Sequence, residues 1–142
     1  MKKLLKTALL AALLAAGACA KVSDVLLAAP KVPLQTLSDQ TLESIFLGTS
    51  THWSDGTRIT VGYVLDRPER MEAFLQERLG QSLKRYQKYW VRRVFSGYGT
   101  APRIFKDAGE ALEFVKSTPG AIIFVPVQET QALSGQNYTA LN

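Results

Sequence analysis

Ala121-Ile122-Ile123-Phe124-Val125 is apolar at five consecutive positions and is entered through the turn-forming Thr118-Pro119-Gly120. A strand with one wet face alternates apolar and polar side chains, whereas an unbroken run of this length fits a strand buried on both faces. The sheet that holds it therefore needs cover on both sides. In a chain that alternates strands with helices, that requirement is met by a three-layer α/β domain with an open, mixed sheet.

The alternation is legible from Val22 onward. Val22 to Ala29 reads as a first strand, and Pro30-Lys31-Val32-Pro33 as the connection that follows it. Ser38 is placed to cap a helix whose face is Leu42, Ile45 and Phe46, with Leu37 and Leu42 as a hydrophobic staple and Gly48 as the stop. Ile59, Val61, Tyr63 and Leu65 alternate with Arg58, Thr60, Gly62 and Val64, which is the period of a strand. Met71, Phe74, Leu75 and Leu79 mark a helix closed by Gly80. Leu83, Tyr86, Trp90 and Val94 mark another that ends near Gly97. Asp107 and Glu110 form a cap-like pair before Leu112 and Val115.

The amino terminus bears on the compartment. Lys2, Lys3 and Lys6 precede an apolar run from Ala8 to Ala16, followed by small residues with an A-x-A site at Ala18-Cys19-Ala20. This is the pattern of a secretory signal peptide over residues 1–20, and the run is shorter than the roughly 20 residues a membrane-spanning helix needs. The expectation is a periplasmic protein that starts at Lys21. A lipoprotein retained through Cys19 is the less favoured form, because the leucine usual three places upstream is missing. Removing residues 1–20 takes three of the 17 Lys+Arg and none of the 12 Asp+Glu, so the mature domain carries a formal charge of +2. With one cysteine in the chain there is no intramolecular disulfide, and stability must come from packing.

Little in the sequence suggests catalysis. The one histidine, His52, sits beside Trp53 in a polar stretch with no second His or mature Cys to complete a zinc site. There is no G-x-S-x-G, and Ser96-Gly97-Tyr98-Gly99 lacks the spacing and the lysine of a phosphate loop. No cofactor or metal is expected, and an enzyme reading rests on His52 alone. Lys84, Lys88 and Arg92 recur at i, i+4 and i+8, flanked by Arg85 and Arg93, beside Tyr86, Tyr89 and Trp90. This is either a docking surface for something acidic or the solvated back of a helix whose core face is Leu83, Tyr86 and Trp90. Export argues against nucleic acid as the partner.

Three blocks, "LESIFLGTSTHWSDGTRI" (42–59), "YWVRRVFSGYGTAPR" (89–103) and "TPGAIIFV" (118–125), resemble the phosphate-type substrate-binding proteins of ABC transporters, especially their short single-domain relatives in Gram-negative envelopes. The resemblance runs from about Leu34 to Val125. It implies one lobe of a type II periplasmic-binding-protein fold, with inorganic phosphate or another small oxyanion as ligand and an ABC permease or other envelope protein as partner. In the full-length members, the strand after the W-x-D-G block leads into an R-x-D-G-S-G-T turn at a helix start that holds the phosphate.

The aligned stretch here is Tyr63-Val64-Leu65-Asp66-Arg67-Pro68-Glu69-Arg70. Only the Asp is kept, Pro68 removes an N–H donor, and both glycines are gone. The candidate ligand contacts are Arg67, Arg70, Asp66 and Tyr63, with the hydroxyls of Thr49 and Ser50 in the first block. Arg67 and Arg70 could clamp an oxyanion at a helix start, or Asp66 and Glu69 could form an ordinary cap that the arginines balance. Two functions follow. One is an exported oxyanion binder, either weak or with a homodimer supplying the second wall; the other is an envelope interaction module that kept the fold and lost the ligand.

Overall fold

The buried run lies at the middle of the sheet. A computed structural model describes residues 23–127 and 133–141; residues 1–20, where a signal peptide is expected, lie outside them, Cys19 included. The strands are β1 (Ser23–Ala28), β2 (Thr60–Val64), β3 (Arg103–Phe105), β4 (Ala121–Val127) and β5 (Asn137–Leu141), and the helices α1 (Asp39–Phe46), α2 (Pro68–Leu79), α3 (Leu83–Phe95) and α4 (Ala108–Ser117). They form a five-stranded mixed sheet in the order β3-β2-β4-β1-β5. β2 is parallel to β3 and β4, whereas β1 is antiparallel to both β4 and β5.

All seven residues of β4 are buried, and its side chains alternate between two cores. Ile122 and Phe124 join Leu26, Tyr63 and the apolar faces of α1, α2 and α3 on one side. Ile123, Val125 and Val127 join Val25, Leu27 and the Ala111–Val115 face of α4 on the other. The molecule is thus α/β with helices on both faces of its sheet. The connection from β2 to β3 crosses the first face, and the connection from β3 to β4 crosses the second in the opposite direction. The two share one hand, as the chirality of parallel crossovers requires.

The expected starts and stops are largely observed. Ser38 Oγ accepts from Thr41 N, Asp107 Oδ1 accepts from Glu110 N, and Glu110 Oε2 accepts from Lys106 N in return. Three points differ from the sequence reading. β3 and β5 are additional strands. Val94 is exposed, leaving Tyr86 and Trp90 as the buried residues of α3. The residue capping α2 is Arg67, with no side-chain hydrogen bond, so Asp66 and Glu69 do not form the cap box that their spacing suggested.

α3 is fastened to the carbonyl end of α1, where a helix leaves its last C=O groups without partners. Tyr86 Oη donates to Phe46 O at 2.7 Å, Tyr89 Oη to Leu47 O at 2.6 Å, and Arg93 Nη2 to Gly48 O at 3.3 Å. Burial raises the Tyr86 phenol well above its ordinary range, which keeps it a donor. Gly48 adopts φ +72°, and a Cβ there would lie 2.4 Å from Cη2 of Trp90, so both the backbone and the indole demand glycine. Tyr86→Phe should therefore lose about 1–3 kcal/mol of stability in urea unfolding, because it strands a buried carbonyl. Gly48→Ala should lose at least as much, since it adds overpacking to a left-handed backbone.

Candidate functional site

The residues singled out in the sequence fall into two groups at opposite ends of β2. Ile59 N donates to Thr51 O, which puts the Thr49–Thr51 segment at the strand's start. Asp66 to Arg70 follow its end. At about 3.3 Å per residue the two groups are roughly 15–20 Å apart, so they do not share one ligand. Tyr63 is buried, its ring centroid 6.2 Å from that of Tyr86, and burial raises its pKa. Its side chain belongs to the core.

At the far end of β2, the Arg70 guanidinium is engaged: Nε donates to Asp24 Oδ1 at 2.9 Å. This ties the first turn of α2 to β1. Arg67 is half-buried at the N-cap, Pro68 occupies the first turn, and exposed Glu69 places a negative charge beside the helix start. Pro68, which lacks an N–H, and Glu69, which adds a negative charge, both weaken an anion cradle there. Thr49 is also committed, its Oγ1 donating to Ser44 O at 3.1 Å as part of the α1 C-cap.

Ser50 has a different setting. It lines a cleft of about 590 Å³ at the amino-terminal ends of the parallel strands, together with Arg58 and Thr60 before and in β2, Arg103 at the start of β3, Thr100 and Thr118. Thr51 adds a further hydroxyl, and Ile59, Val61, Trp90 and Phe114 add apolar wall. No Asp or Glu lines it. Among the described residues neither Arg58 nor Arg103 forms an ion pair, and Arg103 is steadied by Phe114, whose ring centroid is 5.0 Å from its Cζ. Two guanidinium groups and five hydroxyls thus share an acid-free recess.

The neighbouring loops fix Arg58. Trp53 Nε1 donates to Gly120 O at 3.0 Å, and a Cβ on Gly120, at φ +81°, would lie 2.2 Å from Arg58 O. The turn between Trp53 and Arg58 is closed by Gly56 N donating to Trp53 O and Thr57 N to Asp55 Oδ1 at 2.8 Å. That backbone hydrogen bond from Thr57, reinforced by the Thr57 hydroxyl, holds the Asp55 carboxyl below its ordinary value of 3.8. A second cleft, of about 420 Å³, opens on the other side of this turn, where Asp55 stands with Lys31 and Lys116 and offsets one of their two charges. His52 Nδ1 is within 2.9 Å of Thr51 Oγ1, and residue 52 bridges to Arg58. Among the described residues there is no group of three or more His, Cys, Asp or Glu able to hold a metal, and no helix long and apolar enough to cross a membrane.

Sequence reasoning reached Ser50 but not Arg58 or Arg103. Both arginines stand in the quoted blocks, 45 positions apart, and only the parallel pairing of Gly62 with Arg103 brings their segments together. No periodicity within either segment marks them. Comparison with known proteins finds no matching family model, no matching curated protein and no matching solved structure.

Because the folded-state pKa of Asp55 is depressed, its stabilising effect is complete above 3.8 and is lost as pH falls below that value. The difference in melting temperature between wild type and Asp55→Ala should be constant near neutral pH and narrow below it, as followed by circular dichroism.

Proposed function

We propose that this chain is an exported oxyanion-binding protein of the phosphate-type substrate-binding class, built as one lobe of that fold and acting by recognition. The observation that carries the reading is the acid-free cleft with Arg58, Arg103 and five hydroxyls. Guanidinium groups offer paired N–H donors to phosphate or sulfate oxygens, and hydroxyls complete the shell. The volume lies in the range of small-molecule sites. The three sequence blocks that resemble phosphate-type binders support the ligand class, and two of them supply the cleft's arginines.

The proposed ligand is inorganic phosphate or a comparable small oxyanion. The cleft is open on one side, and a second wall would come from a homodimer or from a permease or other envelope partner. Delivery to the periplasm by residues 1–20 completes the reading.

Thermal unfolding with phosphate, sulfate and small phosphorylated compounds tests it. Ligand at 100 times its dissociation constant adds about 2.7 kcal/mol, a rise on the order of 10 °C for a domain of this size. Arg58→Ala and Arg103→Ala should each abolish the rise, and Arg67→Ala should leave it. Loss of the rise in Arg67→Ala or Arg70→Ala alone would move the site to the turn after β2. No rise with any anion at millimolar concentration would overturn the reading.

A further inference from the structure

The large hydrophobic side chains exposed among the described residues are Val91, Val94, Phe95, Tyr98 and Ile104, at 60, 46, 91, 71 and 55 %. Single exposed apolar residues are ordinary, but here all five fall within one 14-residue stretch. Val91, Val94 and Phe95 stand at i, i+3 and i+4 on the face of α3 that turns toward β3. With Ile104, Pro102 and the edge of Tyr63 they line a groove of about 450 Å³. β3 is the end strand of the sheet and has β2 on one side only, so the groove runs beside an open strand edge. A contiguous apolar hollow of this kind marks an interaction site.

Charge narrows the occupant. From Arg78 to Lys106 the chain has no Asp or Glu and eight Lys or Arg. Lys84, Arg85, Lys88 and Arg92 are exposed on the flank of α3 next to the apolar face, and among the described residues none forms an ion pair. Arg85, Lys88, Arg92 and Arg93 line a second hollow, with Tyr89 and Tyr98 at its wall. A second copy of the chain would bring this basic flank against its own like, which disfavours self-association through it. Phe95 stands out at the rim, but Val91, Val94 and Ile104 border a recess that the side chains of a peptide can fill and a flat lipid surface would leave empty. The pairing of an apolar recess, an open strand edge and an adjoining basic flank fits a chain segment with apolar anchors and acidic residues between or beside them.

We propose that the groove between α3 and β3, bordered by the basic flank of α3, is a docking site for an acidic peptide segment carrying apolar anchors. The apolar side chains enter between Val91, Phe95 and Ile104, and the carboxylates face Lys88 and Arg92. The site adjoins the anion cleft, with which it shares Trp90 and Ala101, but does not include that cleft's arginines, Arg58 and Arg103.

The test selects peptides from a random dodecapeptide display library on the full chain and measures the synthetic winners by fluorescence anisotropy. The expected consensus combines Asp or Glu with Leu, Ile or Phe. Affinity should fall about tenfold or more in Phe95→Ser and in Val91→Ser. It should also fall in the doubly reversed Lys88→Glu, Arg92→Glu chain and on raising salt from about 0.05 to about 0.5 M. Phe95 is almost fully exposed, so Phe95→Ser should keep the wild-type melting temperature, and Arg58→Ala should bind the peptides normally. A failed selection, a neutral or basic consensus, or binding indifferent to Phe95→Ser would overturn the proposal. Phe95-dependent sedimentation with phosphatidylglycerol vesicles in place of peptide selection would overturn it in favour of lipid.

Discussion

Three side chains of one helix close the carbonyl end of another, and the placement of both the Arg58–Arg103 recess and the α3–β3 groove follows from that junction. Tyr86, Tyr89 and Arg93 occupy one face of α3 and meet Phe46 O, Leu47 O and Gly48 O in succession. Arg93 also sets a positive charge where the α1 dipole is negative, and its Cζ sits 5.6 Å from the Tyr89 ring centroid. The indole of Trp90 fills the space that Gly48 leaves. Because the chain leaves α1 at Gly48, this junction fixes where Ser50 and Thr51 emerge beside β2. It also fixes the roll of α3: with Tyr86 and Trp90 turned inward, Val91 and Phe95 cannot be.

The sheet has two ends with different chemistry. At the carboxyl ends of β2 and β4, where open parallel sheets ordinarily receive ligands, Asp24 engages Arg70 and Pro68 and Glu69 begin α2. At the amino ends, short loops converge with arginines and hydroxyls and no acid. At the first end Asp24 pairs with Arg70 and Glu69 adds a negative charge beside Arg67, whereas no acid lines the second. The contrast rests on particular partners, since both ends carry two arginines.

Much of this was legible in the sequence, and the exceptions have physical causes. The β4 run, the Ser38 cap and the Asp107–Glu110 pair are local signals, complete within a few residues, and the structure carries each of them. Tyr63 also sat on a readable face: it shares the parity of Ile59, Val61 and Leu65, so the alternation that identified the strand already turned its ring toward the core. β3 is three residues long, with exposed Arg103 and Ile104, and too short for a period to show. β5, Asn137–Leu141, is half-buried except at exposed Ala140 and exists by pairing with β1. The Arg58–Arg103 recess depends on long-range strand pairing, which no window along the chain contains. The apolar strip on α3 looked like part of a core stripe because Val94 continues the spacing of Leu83, Tyr86 and Trp90. Where α3 runs past α1 toward the edge strand, that stripe no longer meets a partner.

The pairing of β5 with β1 places Leu141 opposite Asp24, so the two ends of the described chain lie side by side along one margin of the sheet. β3 forms the other margin, four strand spacings away, or about 19 Å. Anything joined to either end would hold the domain by its β1–β5 side. The domain would then stand like a hand gripped at the wrist, with β3 and the exposed end of α3 on the side away from the grip.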